Sequence, residues 1–310
     1  SGSWPSKLRD RRERFGSFAP YELAADFEIV RAATSTRGFR TGEEGVPTDR
    51  TKNQIKLSDE RMLGYGEYGA PEGKPVFYLH GHPGSRLDWP SFVDLGDSAA
   101  ELNGRFIAVD RAGHGLSDFK RDRTILDWPD DLIELADALQ VDRFAVLGCS
   151  GGGPYAAACA FKIPERLTAT AIVSGMGPVE APGAKDGDSW TFPGKGSVAR
   201  RLILMLTAMG LRKKPDQFLA KTEEALEGPD KQLCLDKPEI LKGIGDTFAE
   251  ALRPGIAGAH YEAGLYTRPW GFRLADITAE VHLWHGGQDP NVLVSVGRYV
   301  ADAIPNCQAT

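Results

Sequence analysis

The sequence predicts an α/β fold with a mostly parallel sheet, and three observations support this prediction. Short apolar runs rich in β-branched and aromatic residues recur along the chain, and each ends at a glycine or at small residues. Segments with helical periodicity separate these runs. The 310 residues are 41% hydrophobic and 26% charged, so the chain can build one large core.

The predicted strands follow from the apolar runs. An antiparallel pair at 54–57 and 61–68, closed by a turn at 69–73, opens the sheet because these residues alternate in polarity. Buried parallel strands are predicted at the continuous apolar runs 76–79, 106–109, 144–147, 169–173 and Val281–Trp284.

Two helices are predicted between these strands. Residues 127–139 place Leu132, Leu135 and Ala136 on one face. Residues 154–162 begin with a proline, which the first turn of a helix tolerates, and end before Pro164. Helices on the faces of the sheet are expected.

An inserted helical cap is predicted at 178–275, because about a hundred residues without a strand pattern separate the fourth and fifth parallel runs. Helices are expected there at 197–209, 216–227 and 231–251. The α/β core then comprises 54–177 and 276–310, with an N-terminal extension at 1–53. The insertion is expected to act as a lid over a site, with a separate packing module as the alternative.

Composition restricts the class of partner. The formal net charge of −6 gives no reason to expect a nucleic-acid surface, so a small molecule is the expected partner. No apolar stretch approaches the roughly 20 residues of a membrane span. The 4 cysteines match neither a disulfide framework nor a zinc site, which favours a cytoplasmic protein. The oligomeric state stays open.

The sharpest local motif is GCSGG at 148–152, placed between a predicted strand and a predicted helix. A serine at such a sharp turn is held out of the sheet, and glycines two positions to either side let the two elements pass closely. Ser150 is therefore the candidate nucleophile. The backbone amide of Gly151 starts the helix, where it can donate to a developing oxyanion.

A second motif, HGHPGSR at 80–86, also follows a predicted strand. The position after the His-Gly pair assigns the second oxyanion donor to the backbone amide of His82. A structural role as a loop hydrogen-bonding group is expected for His80. Arg86 is expected to pin the loop, with recognition of a substrate carboxylate as the alternative.

These motifs resemble the α/β-hydrolase fold superfamily, specifically its capped serine hydrolases with an HGxPGSR loop. The matching stretches are 80–86, 110–118, 148–155 and 285–289, in the family's order. The resemblance implies an acyl-enzyme mechanism without a metal or organic cofactor. It also implies that Asp289, in HGGQD, orients the catalytic imidazole; the alternative is a loop aspartate that caps a helix starting near Asn291. Asp110 is given no catalytic role.

The sequence departs from this pattern at the general base. The family order places a histidine after the acid, yet no histidine follows Asp289. The favoured explanation is that the chain stops before its last strand and helix, since 306–310 resemble the entry to that strand and the Ser-Gly-Ser start resembles a cloning remnant. Alternatively the protein lacks the base and only binds a ligand, or it recruits His260 or His82.

The expected function is therefore hydrolysis of an ester, lactone or thioester-like acyl substrate, with a non-catalytic ligand receptor on the same fold as the alternative. Apolar cap residues hint at an apolar ligand, although they equally suit the interior of the cap. These residues are Trp190, Phe192, Leu204, Met205, Met209, Phe218 and Trp270.

Overall fold

The computed structural model describes residues 50–88, 103–187, 197–226 and 228–310. Most of the predicted N-terminal extension, residues 1–49, lies outside these ranges, as do Trp190 and Phe192 of the predicted cap. Within the described ranges, no helix combines the length and apolar character needed to cross a membrane.

A single twisted sheet occupies the centre of the described chain. Its strands are β1 (Asn53–Lys56), β2 (Met62–Gly69), β3 (Lys74–Leu79), β4 (Gly104–Val109), β5 (Phe144–Cys149), β6 (Leu167–Val173), β7 (Val281–Trp284) and β8 (Cys307–Ala309). They lie in the order β1-β2-β4-β3-β5-β6-β7-β8. The first two strands pair antiparallel, β2 pairs antiparallel with β4, and the remaining pairs are parallel. The predicted α/β class with a mostly parallel sheet is confirmed.

Helices connect the strands and build the inserted segment. They are α1 (Trp128–Ala138), α2 (Gly153–Lys162), α3 (Ser197–Lys213), α4 (Pro215–Ala225), α5 (Gly228–Asp236), α6 (Pro238–Ala251), α7 (Ala257–Leu265) and α8 (Val294–Ala303). The single helix predicted at 231–251 is wrong. Two helices occupy this stretch because Pro238 cannot donate an amide hydrogen bond within a helix, whereas it suits the first turn of α6.

The main core lies on one face of the sheet. Alternate strand residues such as Phe77, Leu79 and Val146 point into it and meet α1, α2 and α8. The intervening residues, including Tyr78 and Leu147, form a smaller cluster on the opposite face. Buried parallel strands must be apolar on both faces, which is why their runs are continuous in the sequence.

The segment 178–275 contains helices α3 to α7 and no strand among its described residues, but its parts differ in how they pack. Helices α3 to α6 contribute to two small apolar clusters outside the main core: one around Cys234 and Leu241, and one in which Leu204 of α3 meets Ala259 of α7. Tyr266 and Trp270, by contrast, belong to the main core. Met205 and Met209 are 52% and 47% exposed, so neither supports the interpretation of a packed cap interior.

The end of the chain differs from the expectation that it stops before the last strand. Residues Cys307–Ala309 already form β8, parallel to β7. The Thr310 amide donates to the Leu283 carbonyl oxygen at 2.8 Å, and the His285 amide donates to the Thr310 carbonyl oxygen at 3.1 Å. The carboxyl end of β8 therefore lies at the same edge of the sheet as the end of β7.

Candidate active site

Ser150 occupies a strained turn between β5 and α2. It starts a short 3₁₀ turn, Ser150–Gly152, and has a φ of +49°, a left-handed conformation that costs a non-glycine residue of order 1–3 kcal/mol. The residue is partly exposed, whereas all of β5 is buried. The Met176 amide donates to its carbonyl oxygen at 3.0 Å. The turn thus holds Ser150 at the carboxyl edge of the sheet.

The flanking glycines make this turn possible. A methyl group on Gly152 would lie 2.0 Å from the Leu79 carbonyl oxygen, and one on Gly148 would lie 2.5 Å from the Gly152 carbonyl oxygen. Both contacts are with backbone, which cannot move aside as a flexible side chain can. The structure therefore supplies the close approach that the GCSGG spacing predicts.

The loop after β3 lies directly beside the serine turn. A methyl group on Gly151 would lie 3.1 Å from the His82 backbone nitrogen, and one on Gly81 would lie 3.6 Å from Ser150 Cβ. The two residues assigned as oxyanion donors are thus neighbours, next to the candidate nucleophile. They come from motifs about 70 residues apart, joined by the parallel pairing of β3 with β5.

Buried side chains anchor this loop. His80 Nε2 accepts from the Arg111 amide at 3.2 Å, and His80 Nδ1 lies 2.8 Å from the Gly81 carbonyl oxygen. Arg86 is 2% exposed and donates to Asp110 at 2.8 Å and to Glu250 at 2.7 Å. These contacts support the expected structural roles of His80 and Arg86.

Another buried carboxylate, that of Asp88, contacts the backbone of the loop after β3. Sequence analysis did not identify this residue. Its Oδ2 accepts from the Tyr78 hydroxyl at 2.7 Å and from the Gly81 amide at 3.2 Å. Burial raises the pKa of Asp88 to about 6, against the opposing effect of these two hydrogen bonds. An aspartate near a turn carries no sequence signal for this contact.

Asp289 lies in the turn after β7 and is 4% exposed. Its Oδ1 accepts from the amides of Asn291 at 2.8 Å and Val292 at 3.1 Å, and its Oδ2 lies 3.8 Å from His285 Nε2. Burial raises its pKa, whereas the Val292 amide and His285 favour the charged form. The amide bonds resemble a cap, but α8 begins only at Val294. Because Ser150 follows β5 and Asp289 follows β7, and these parallel strands flank β6, the two residues lie at the same edge of the sheet, two strands apart.

The histidines occupy distinct environments. His82 Nδ1 lies 2.8 Å from Glu262, and His260 Nε2 lies 3.1 Å from the Ser197 hydroxyl. His114 is buried, which lowers its pKa to about 3 and keeps it neutral. His285 Nε2 is 2.6 Å from the Val292 carbonyl oxygen. His82, whose Cβ lies next to Gly151 of the serine turn, thus pairs with a carboxylate other than the predicted Asp289.

Glu262 is the main residue that sequence analysis missed. It lies on α7, is fully buried, and contacts both His82 and Arg111. Its helix reads AGAHYEAGL, so an acid surrounded by alanine and glycine is the one signal that could have drawn attention to it. The partners lie 180 and 151 residues away in the sequence, beyond the reach of any local pattern.

The fold and this edge of the sheet define an α/β hydrolase. A family model described as "Alpha/beta hydrolase family" matches residues 76–307, and this chain belongs to that family. Solved structures agree on the fold. An esterase, RhEst1 from Rhodococcus sp. ECU1013, superposes with a TM-score of 0.60 at 24% identity over 84% of this chain and 89% of that one. The enol-lactonase from Burkholderia xenovorans LB400 gives 0.59 at 18% identity, over 83% and 90%.

Curated relatives share shorter stretches. A serine hydrolase-like protein from Danio rerio is 30% identical over 157 residues, covering 49% of this chain and 43% of that protein. A probable proline iminopeptidase from Leptolyngbya boryana is 32% identical over 146 residues, covering 45% and 44%. A non-heme chloroperoxidase from Streptomyces lividans is 33% identical over 131 residues, covering 40% and 45%. The chain thus spans less than half the length of these relatives, whose names describe different reactions.

Proposed function

We propose that this protein is a serine hydrolase that cleaves an ester, lactone or thioester-like acyl substrate through an acyl-enzyme on Ser150. The observation that carries the proposal is the strained Ser150 turn with the backbone of Gly151 and His82 beside it. Membership of a hydrolase family and the esterase and lactonase folds among its structural neighbours support the reaction class.

In the proposed mechanism, the Ser150 hydroxyl attacks the substrate carbonyl carbon and passes its proton to a base. The amides of Gly151 and His82 donate to the oxyanion of the tetrahedral intermediate. The intermediate then collapses, the leaving group takes the proton, and the acyl group stays on Ser150. Water activated by the same base releases the acid.

The base is the second part of the proposal. We assign it to a histidine that follows Thr310 in the natural protein and is oriented by Asp289. Two observations support this assignment: β8 carries the chain to the edge where Asp289 and Ser150 lie, and the Asp289 carboxylate is fixed there by two amides. His82 is the alternative base, favoured by its 2.8 Å contact with Glu262.

A fluorophosphonate label and short p-nitrophenyl esters test this function. The protein extended past Thr310 to the end of its gene is expected to be labelled and to turn over the esters. Ser150→Ala should abolish both, because it removes the nucleophile. Ser58→Ala, at an exposed serine bonded to Glu134, should abolish neither.

Comparison with the 310-residue chain tests the source of the base. Activity that requires the added residues supports a histidine beyond Thr310, whereas equal activity in both chains favours His82. A gene-length protein that stays unlabelled and inactive, yet is stabilised against heating by acyl ligands, would support the ligand receptor instead.

A further inference from the structure

A fully buried carboxylate joins α7 to two loops at the carboxyl edge of the sheet. Glu262 Oε1 accepts from Arg111 Nε at 2.6 Å and from the Tyr155 hydroxyl at 3.0 Å. Its Oε2 accepts from Arg111 Nη2 at 3.0 Å and lies 2.8 Å from His82 Nδ1. Four contacts to one carboxylate leave it little freedom to move.

Arg111 extends the same network to the backbone of the loop after β3. Its Nη1 donates to the His80 carbonyl oxygen at 2.6 Å and its Nη2 donates to the Gly81 carbonyl oxygen at 3.0 Å. Three consecutive loop residues are therefore held by one ion pair, two through their carbonyl groups and His82 through its side chain. The peptide unit between Gly81 and His82 includes the amide assigned to the oxyanion.

We propose that Glu262 is a positioning residue, which holds the loop after β3 so that the His82 amide faces Ser150. This inference rests on the proposed function. It means that a residue of the predicted cap directly contacts, and positions, the loop that carries an oxyanion donor. A donor contributes to catalysis only when it points at the place where the negative charge develops, so its orientation matters as much as its presence.

The position of α7 is itself fixed, which makes it a suitable support. A methyl group on Gly258 would lie 2.1 Å from the Gly113 carbonyl oxygen, so the helix packs against the loop after β4 with no space between backbones. Tyr266, just after α7, donates its hydroxyl to the Gly151 carbonyl oxygen at 2.9 Å. The same region thus contacts the residues of both assigned oxyanion donors.

The charges of the cluster favour an ion pair that persists. Burial alone would raise the pKa of Glu262, but Arg111 and the hydrogen bonds hold it well below its usual range. His114 Nε2, 3.6 Å from Glu262, belongs to a neutral imidazole because burial lowers its pKa to about 3. Glu262 and Arg111 therefore neutralise each other inside the protein.

A metal site is the competing interpretation of this cluster. Donor atoms of His82, His114 and Glu262 all lie within 4.8 Å of one another, a spacing that also suits a cation. Both Glu262 oxygens already accept from Arg111, however, and a metal ion would stand next to the guanidinium charge. The donor set therefore fits positioning better than metal binding.

The test uses Glu262→Gln in the gene-length protein, with Glu239→Gln on the exposed surface of α6 as the matched control. Glu262→Gln is expected to lower kcat for a p-nitrophenyl ester by about 10- to 100-fold and to change KM by less than about threefold. The reason is that a misdirected amide weakens binding of the transition state much more than binding of the substrate. The control should match the wild type. A wild-type kcat, or a loss confined to KM, would overturn the proposal.

His82→Ala provides a second variant that keeps the backbone amide and cuts the link to Glu262. Its kcat loss should resemble that of Glu262→Gln, and the double variant should lose little more, because both changes break the same connection. Additive losses would contradict a shared role. A loss above about 1,000-fold in His82→Ala would instead identify its imidazole as the base.

Amide hydrogen exchange separates this inference from the proposed function, because it needs no turnover. In Glu262→Gln, peptides that contain Gly81 and His82 should exchange about tenfold faster, while peptides of β5 stay unchanged. An inactive wild type would refute the hydrolase proposal and leave this measurement intact. Unchanged exchange in the loop would refute the positioning role, and faster exchange throughout the protein would show general destabilisation instead.

Discussion

At the scale of single residues, the candidate site contains residues held in an unfavourable conformation or an unfavourable environment. Ser150 takes a left-handed backbone that glycine would adopt more readily, and Gly152 in the same turn packs closely against Leu79. Asp88 is buried under the Gly81 amide, where its negative charge is poorly solvated. Such costs are retained where a precise geometry is needed.

Asp88 predicts a pH dependence of stability. Its pKa is raised from 3.8 to about 6 by burial, so the folded protein binds this proton more tightly than the unfolded chain does. Its contribution to stability is therefore present below about pH 4 and is lost as the pH rises to about 6. Between pH 4 and pH 7, the free energy of unfolding of the wild type should fall by on the order of 2–3 kcal/mol relative to that of Asp88→Asn, which cannot ionise at this position.

Urea unfolding of both proteins at several pH values measures this difference. The two free energies of unfolding should lie closest at pH 4 and separate above it, levelling off once the carboxyl group is fully ionised. Two curves that run parallel from pH 4 to pH 7 would show that Asp88 does not titrate in this window.

At the scale of elements, the loop after β3 is held by contacts from the loop after β4 and from α6. Arg86 donates to Asp110 and Glu250, and its amide donates to Asp110 Oδ1 at 2.6 Å. Breaking a buried pair leaves an uncompensated charge, which typically costs 3–5 kcal/mol. The arginine thus stabilises the meeting point of three chain segments rather than one local turn.

Arg86→Met is accordingly expected to lower the free energy of unfolding by about 3–5 kcal/mol, since it leaves Asp110 buried without its partner. Arg273→Met provides the control, because Arg273 is 80% exposed in its pair with Asp276 and should change stability very little. Thermal and urea unfolding check both variants. Equal, small effects would mean that solvent reaches the Arg86 cluster.

The elements also show what local sequence can predict. The parallel strands were predictable because burial on both faces requires continuous apolar runs, and the sharp turn at Ser150 was predictable because such a turn requires nearby glycines. The break at Pro238 was missed inside an otherwise helical pattern. Glu262 and Asp88 were missed because their roles arise from contacts made by the folded chain, for which neither residue carries a local signature.

At the scale of the whole molecule, the strands of the sheet bury a large apolar core, whereas helices α3 to α6 bury much less apolar surface. Strands β2 to β7 all place buried residues in the main core, and partly buried residues of β1 and β8 pack against it. The apolar side chains of α3 to α6 instead contribute to two small clusters, one of them shared with Ala259 of α7. The free energy needed to open a segment rises with the apolar surface that opening exposes to water, so helices α3 to α6 should open before the sheet unfolds.

The cysteines report on this difference. Cys159, in α2, is buried in the main core, and Cys149, in β5, is buried in the smaller cluster on the opposite face of the sheet. Cys234, in α5, is buried in the small cluster of α4 to α6. None of the four cysteines, all of which lie in the described ranges, forms a disulfide. Cys307 is partly exposed, so replacing it by serine leaves three buried thiols as probes of unfolding.

In Cys307→Ser, thiol labelling followed by peptide mass spectrometry is expected to modify Cys234 at lower urea than Cys149 or Cys159. The small cluster around Cys234 should open in a local step with a shallow urea dependence, whereas the two core thiols should become reactive only in the global transition. Circular dichroism on the same samples locates that transition. If all three thiols are labelled with the same midpoint and slope, the inserted helices and the sheet unfold as one cooperative unit, and the small clusters are supported by contacts with the core.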